Sequence, residues 1–354
     1  MLFTSYCHAT TCFQNFNTLN LNNAEKMKYC LQQAEQEEPH IQYSIGLMFD
    51  KGKGITKNTT KALYWYKKAA EQGHGGSQYN LALIYTLDNK HPQQALKWYK
   101  LSAKQGYSSA AYNLGILYEY GKGISKNKIK AVEWYKKAAN KGHSRAQYSI
   151  GHLYAQEANY KNAITWYKKA ATQGHQLAQT HLATMYNEAQ GVKQNYKKSF
   201  LWYEKAATQG NKIAQFHLGL MYYQGKGKAT NYQKAFYWFK KSAIQAHAQA
   251  QLYLGILYNE GQGITQNYKK AFFWFEKSAY QNNYIAHYHL GIIYQFGQGT
   301  QIDKIKSHMF FNIAAANGNE NALQNREAIS HNMTTLQIEQ AQALAKKWIE
   351  KYQP

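Results

Sequence analysis

A tryptophan recurs through this chain at nearly constant spacing. Trp65, Trp98, Trp134, Trp166, Trp202, Trp238 and Trp274 are separated by 33, 36, 32, 36, 36 and 36 residues, and Phe310 falls 36 residues after the last. A period of this size marks stacked supersecondary units, each too small to bury its own apolar face and therefore dependent on its neighbours. The 354 residues would otherwise suggest two or three globular domains, but an array of this kind makes one elongated domain. It offers a long repeated surface rather than a single catalytic pocket.

Each unit reads as two short helices. In the first, Ala146, Ile150, Leu153 and Tyr154 follow the i, i+4, i+7, i+8 spacing of one apolar stripe. Gly151 sits in the middle of it, and a glycine repeated there predicts close approach by a neighbouring helix, against a propensity cost of about 1 kcal/mol relative to alanine. In the second, Ala131, Trp134, Tyr135 and Ala138 share a face. Asn127, Asn195, Asn231, Asn267 and Asp303 stand where N-caps belong. His91 holds that slot in one short-loop copy, with Pro92 at the first helical position. Gly-x-Gly loops join the halves, at Gly52 and Gly54, Gly121 and Gly123, Gly225 and Gly227, Gly261 and Gly263, and Gly297 and Gly299. Gly73, Gly106, Gly142, Gly174 and Gly210 close the second helices, as left-handed C-caps.

The string Ala-x-Tyr-x-Leu-Gly-x-x-Tyr, the Gly-x-Gly loop and Lys-Ala-x-x-Trp-Tyr-x-Lys-Ala-Ala-x-x-Gly together resemble the Sel1-like repeat family, relatives of the tetratricopeptide repeat. The resemblance covers residues 40–318 as eight copies. The copies starting near Ser77 and Ala146 have shorter loops without Gly-x-Gly, Ala189 replaces one loop glycine, and Phe310 replaces the last tryptophan. The resemblance implies an all-α, right-handed α/α superhelical solenoid used for protein–protein interaction. It brings no catalytic, cofactor-binding or metal-binding residues. It also implies roles in assembling signalling or envelope complexes and, in intracellular bacteria, in contacting host proteins.

Around the repeats, residues 1–22 are poorly patterned, and residues 23–39 look like a leading half-repeat, because Ala34-Glu35-Gln36 echoes Ala70-Glu71-Gln72. Residues 319–354 are expected to form C-terminal capping helices. There Thr334 and Gln337 offer a capping box, and Ile338, Ala341, Ala345 and Trp348 form a stripe. Trp348 lies off the period and is expected to matter less than the others. The first 16 residues hold neither a basic start nor an apolar run, so no secretory signal is expected. No stretch approaches a membrane span. Cys7, Cys12 and Cys30 precede the repeats and fit a reducing compartment. The expected location is cytoplasmic, or exported without a recognisable signal.

The net charge is +23, almost all from lysine, with Arg145 and Arg326 the only arginines. Lysine pairs recur on the second helices, which reads as a solvated face or as a surface for an acidic partner. Scarce arginine and the even spread of lysine argue against specific nucleic-acid binding. The Gly-x-Gly loops lack the strand and Gly-Lys-Ser/Thr context of phosphate cradles. His181, His217 and His289 form one column and His74, His143 and His175 another, as repeat copying dictates without any metal.

The function this reading supports is a non-enzymatic scaffold that docks a protein partner on the concave face of the first helices. The alternatives are a binder that inhibits an enzyme, and a basic binder of membrane surfaces or polyanions. A small-molecule substrate is not expected. On that face the candidate partner-binding residues are Tyr79, Tyr112, Glu119, Tyr148, His152, Phe216, Tyr223 and Tyr288. The outermost register runs Asp50, Thr86, Glu119, Ala155, Asn187, Tyr223, Asn259 and Gln295, and its diversity on a constant scaffold is what shape-specific recognition requires.

Overall fold

The computed structural model describes residues 31, 32, 34, 38–52, 55–88 and 91–352. Among these residues the secondary structure is helical, with no strand. The chain divides into two compact units, residues 1–158 and 159–354. In the N-terminal unit, α1 (Pro39–Lys51), α2 (Thr59–Glu71), α3 (Gly75–Asp88), α4 (Pro92–Lys104), α5 (Ser108–Tyr120), α6 (Lys128–Asn140) and α7 (Ser144–Gln156) each pack on the next. In the C-terminal unit the same succession runs through α8 (Tyr160–Thr172), α9 (Gln176–Glu188), α10 (Tyr196–Thr208), α11 (Lys212–Gln224), α12 (Tyr232–Ile244), α13 (Ala248–Glu260), α14 (Tyr268–Ala279), α15 (Tyr284–Phe296) and α16 (Lys304–Ala316). There α17 (Glu320–Ser330) and α18 (Thr335–Tyr352) both fold onto α16. Cys7, Cys12, Cys30, Gly54 and most of the expected half-repeat lie outside the described residues.

The helices start where the sequence places their caps. Asn127, Asn195, Asn231, Asn267 and Asp303 each accept a hydrogen bond from the backbone N–H three residues on, at 2.8–2.9 Å. His91 differs. It holds the cap slot before Pro92, but its side chain makes no cap bond and lies instead 3.1 Å from Asp88. The closing glycines adopt φ values of 83–96°, which only glycine takes freely. Three alanines are forced into the same region, Ala158 (φ 53°) and Ala189 (φ 59°) in loops and Ala246 (φ 56°) at a closing position. The second glycine of each loop serves close approach. A Cβ on Gly263 would lie 2.5 Å from the backbone of Tyr232, and one on Gly299 would lie 2.6 Å from that of Tyr268.

The core departs from expectation in one respect. Trp65 and Trp98 are buried, but Trp134, Trp166, Trp202, Trp238 and Trp274 are only half-buried. The deepest side chain of each unit is the aromatic that follows the tryptophan: Tyr66, Tyr99, Tyr135, Tyr167, Tyr203, Phe239, Phe275 and Phe311 are all at most 1% exposed. That ring is what the mid-helix glycine admits. A Cβ on Gly115, Gly219 or Gly255 would come within 2.4–2.7 Å of Tyr135, Phe239 or Phe275. The tryptophan, larger and carrying an N–H, stays at the edge of the seam with its face toward a lysine ammonium; Lys137 lies 4.0 Å over Trp134 and Lys169 lies 4.3 Å over Trp166.

A buried polar ladder joins successive repeats within each unit. Gln215, only 3% exposed, donates to the Ala207 carbonyl at the end of α10 and accepts from Gln245 at the end of α12. Gln179 and Gln209, and Gln251 and Gln281, repeat the arrangement. Gln42 donates in the same way to Ala34, as Gln78 does to Ala70, so the Ala34/Ala70 echo corresponds to equivalent contacts. At the other end, the Thr334–Gln337 capping box forms through both of its bonds. Ala341 and Ala345 are buried, and Trp348 is far from incidental. It stacks on Tyr280 at 5.0 Å and meets Phe310 edge-on at 5.2 Å, closing the last repeat.

Candidate interaction surface

The candidate residues fall into two groups, one in each unit. In the N-terminal unit, Tyr79 and Tyr112 lean from α3 and α5 over the buried rings of Tyr99 (6.0 Å) and Tyr135 (5.6 Å), both half-buried. Tyr112 also stacks at 4.7 Å on His143, which starts α7. Glu119, at the end of α5, accepts a hydrogen bond from Tyr135. Burial, reinforced by Glu119, raises the Tyr135 hydroxyl far above its ordinary pKa. Tyr148 stacks on His152 at 6.0 Å, and burial together with nearby Tyr112 and Tyr120 raises its pKa as well. Tyr120, 64% exposed, flanks this group. The result is a cluster of phenols around one carboxylate, with positive charge from Arg145 at its margin.

In the C-terminal unit the same register is more apolar. Phe216 is only 8% exposed and packs among Phe239, His247 and Tyr253, so its surface contribution is small. Its counterpart Leu252 is buried outright. Tyr223 stays half-exposed, edge-on to Tyr232 and Tyr253. Tyr288 lies 6.0 Å from Phe311. The tyrosine column is therefore seam packing first, with edges left open to solvent at Tyr79, Tyr112, Tyr148, Tyr223 and Tyr288.

The histidine columns have defined structural work. His143, His175 and His247 are N-caps of first helices, accepting through Nδ1 from the N–H of Ala146, Ala178 and Ala250 at 3.2–3.3 Å; His74 does the same for Ser77. Their spacing is legible in the sequence but this role is not, because histidine is not among the preferred caps. The other column stacks on the buried aromatics: His181 on Tyr167, His217 on Tyr203 and His289 on Phe275, with rings within 13° of parallel. Burial lowers the pKa of His217 and His289 to about 4. Among the described residues no group of His, Cys, Asp and Glu converges as a metal site would.

Charge divides between the two helix sets. In the C-terminal unit the first helices α9, α11, α13 and α15 carry one lysine, Lys212, and two glutamates, Glu188 and Glu260. The second helices α8, α10, α12, α14 and α16 carry two or three lysines each, against Glu204 and Glu276. The positive charge of this unit thus lies mainly on the second-helix side. Among the described residues no helix is long and apolar enough to cross a membrane.

Comparison with known proteins agrees with this geometry. The sequence profile of the Sel1 repeat matches residues 39–74, 76–107, 108–143, 144–175, 176–211, 212–247, 248–283 and 285–319. A search of curated proteins finds no match. Among solved structures, the chain is similar to a protective antigen present in uropathogenic Escherichia coli strains that displays an SLR fold, with 28% identity, TM-score 0.66, and coverage of 97% of this chain and 91% of that one. It is also similar to a Sel1 repeat protein from Oxalobacter formigenes, with 30% identity, TM-score 0.62, and coverage of 84% and 88%. With eight successive profile matches laid over successive helix pairs, the chain belongs to the Sel1 repeat family.

Proposed function

We propose that this protein is a non-enzymatic interaction scaffold whose first-helix face docks a protein partner. The observation that carries the reading is the contrast within each first helix. The glycine, alanine and glutamine positions that build the seam repeat almost unchanged and are buried, whereas the outermost register changes from Thr86 to Glu119, Asn187, Tyr223, Asn259 and Gln295 on a constant backbone. Packing does not require that variety, and selective contact with another surface does. Half-exposed tyrosines beside it supply large contact area at little entropic cost. Family membership supports a protein partner. The description of the E. coli relative as a protective antigen supports contact with a host.

An acidic partner fits this face poorly, since its helices carry few cations. A partner segment with exposed backbone, hydroxyl or basic groups suits the phenols and Glu119 better. The test is affinity capture from lysate with the parent chain, Tyr112→Ala and Tyr148→Ala, each alongside a thermal melt. Loss of one saturable partner with the melt intact supports the docking face. Loss of stability at both positions, with capture falling only in proportion to unfolding, refutes it. A captured enzyme whose turnover drops on binding would make the protein an inhibitor.

A further inference from the structure

The second-helix side of the C-terminal unit carries a feature that neither folding nor the first-helix face uses. The residue just before each clock tryptophan is Leu201, Tyr237 and Phe273 on α10, α12 and α14, at one register and 54%, 50% and 46% exposed. Each stands beside a half-buried tryptophan; Tyr237 meets Trp238 edge-on at 4.9 Å and Phe273 meets Trp274 at 5.1 Å. Lysines bracket the row. Lys241 lies 5.2 Å over Tyr237 and Lys277 lies 5.6 Å over Phe273, with the ammonium groups beside the ring faces. In the N-terminal unit the same register holds Tyr64, equally exposed at 53% and edge-on to Trp65, but then Lys97 and Glu133, so only the C-terminal unit carries the feature on three successive second helices. On α8 a cleft of about 540 Å³ extends the surface, lined by Ile164, Lys168, Lys169, Tyr186 and Val192.

We propose that this face seats the protein on an anionic membrane surface. Large apolar side chains left half in water at regular spacing lose hydration cost only when an apolar medium receives them. Aromatic rings flanked by lysines suit the headgroup region, where a ring enters the acyl boundary and the ammonium stays at the phosphates. The lysine excess on α8, α10, α12, α14 and α16 supplies the complementary charge. A folded acidic protein would be drawn by the same lysines, but it would have to match the spacing of Leu201, Tyr237 and Phe273 with a complementary apolar face, whereas a bilayer receives them at any spacing. The first-helix face of this unit, nearly free of lysine, is left available for a partner.

The test uses the full chain and co-sedimentation with vesicles of phosphatidylcholine alone or with about one-third phosphatidylserine, at low and moderate salt. The parent should bind the serine-containing vesicles, ignore the neutral ones, and release as salt rises. Its tryptophan emission should be quenched by bromine-labelled lipid in the bound state. Lys240→Gln with Lys241→Gln, and separately Tyr237→Ser with Phe273→Ser, should each weaken binding about tenfold or more. Lys136→Gln with Lys137→Gln, the corresponding lysines on α6 beside Glu133, should change it less than threefold. Circular dichroism melts check that the half-exposed positions leave folding intact, and the bromine quenching of the parent needs no variant at all. The proposal fails if the parent does not bind serine-containing vesicles, or if the α6 pair weakens binding as much as the α12 pair. It also fails if Tyr237→Ser with Phe273→Ser binds like the parent. Capture of polyglutamate through Lys240 and Lys241 without vesicle binding would assign the face to an acidic protein.

Discussion

Phe275→Ala tests the seam most directly, and Trp274→Ala is its internal control. Phe275 is completely buried, stacks on His289 at 4.6 Å, and fills the space that Gly255 leaves empty. Collapse into the vacated volume is opposed from both sides. The Gln281–Gln251 bond (2.7 Å) and the Ser278 bond to the Ala248 carbonyl (2.8 Å) hold α14 at its distance from α13, and Gly255 has no side chain to move in. A poorly collapsing site belongs in the upper part of the range for buried aromatics, so the expected loss is about 4 kcal/mol. Trp274 is less deeply buried than Phe275 and lies at the solvent edge of the seam, so it should cost less when truncated, about 2 kcal/mol. Urea unfolding followed by far-ultraviolet circular dichroism is the assay, because it does not depend on the tryptophan being removed. Neighbouring units couple in a line, so Phe275→Ala should also detach an early transition from the main one. If Trp274→Ala cost as much as Phe275→Ala, the glycine–aromatic seam would not be the core of the repeat.

Two further outcomes follow from the caps and the buried rings. His217 and His289 have pKa values lowered by burial to about 4, and His143 and His247 are shifted down as well, again chiefly by burial. The unfolded chain therefore binds more protons near pH 5, so stability is full above about pH 6.5 and falls as the pH drops toward 4, by up to roughly 1.4 kcal/mol per pH unit for each of the histidines lowered to about 4, His74 and His287 among them. A melting temperature unchanged between pH 7 and pH 4.5 would contradict this. Ala189→Gly and Ala246→Gly each relieve a left-handed alanine and should raise stability by about 0.5–1 kcal/mol, measured as a shift in the urea midpoint; a drop at both sites would mean the strain is absent.

Most of the fold is legible in the sequence because repetition multiplies weak signals. One Asn before a helix is ambiguous, whereas Asn127, Asn195, Asn231 and Asn267 at matching positions are not. The rest is hidden because residue type is a poor guide to depth. Tryptophan marks the period most visibly, yet its size and N–H keep it at the edge while Tyr135 or Phe275 goes inside. Gln215 and Gln251 carry no sequence signal for burial, and paired bonds satisfy them in a buried seam. Trp348 lies off the period, so spacing alone does not reveal its partners Tyr280 and Phe310. The proposed docking face is only half legible. Helical spacing gives its register, but Phe216 and Leu252 could be recognised as buried only once the adjacent first helix was in place.

The glutamine ladder has a consequence for how such a chain changes over time. Gln251 meets Ala243 through the same bond by which Gln215 meets Ala207, and both accept from a glutamine 30 residues on. Removal of residues 212–247 would bring Gln251 to Ala207 with every donor and acceptor at that junction still matched. Insertion of another 36-residue copy would be equally well accommodated. Array length is thus nearly free of penalty from the joints, so gain or loss of whole units can alter the reach of the surface and the number of sites it displays while each joint keeps its chemistry.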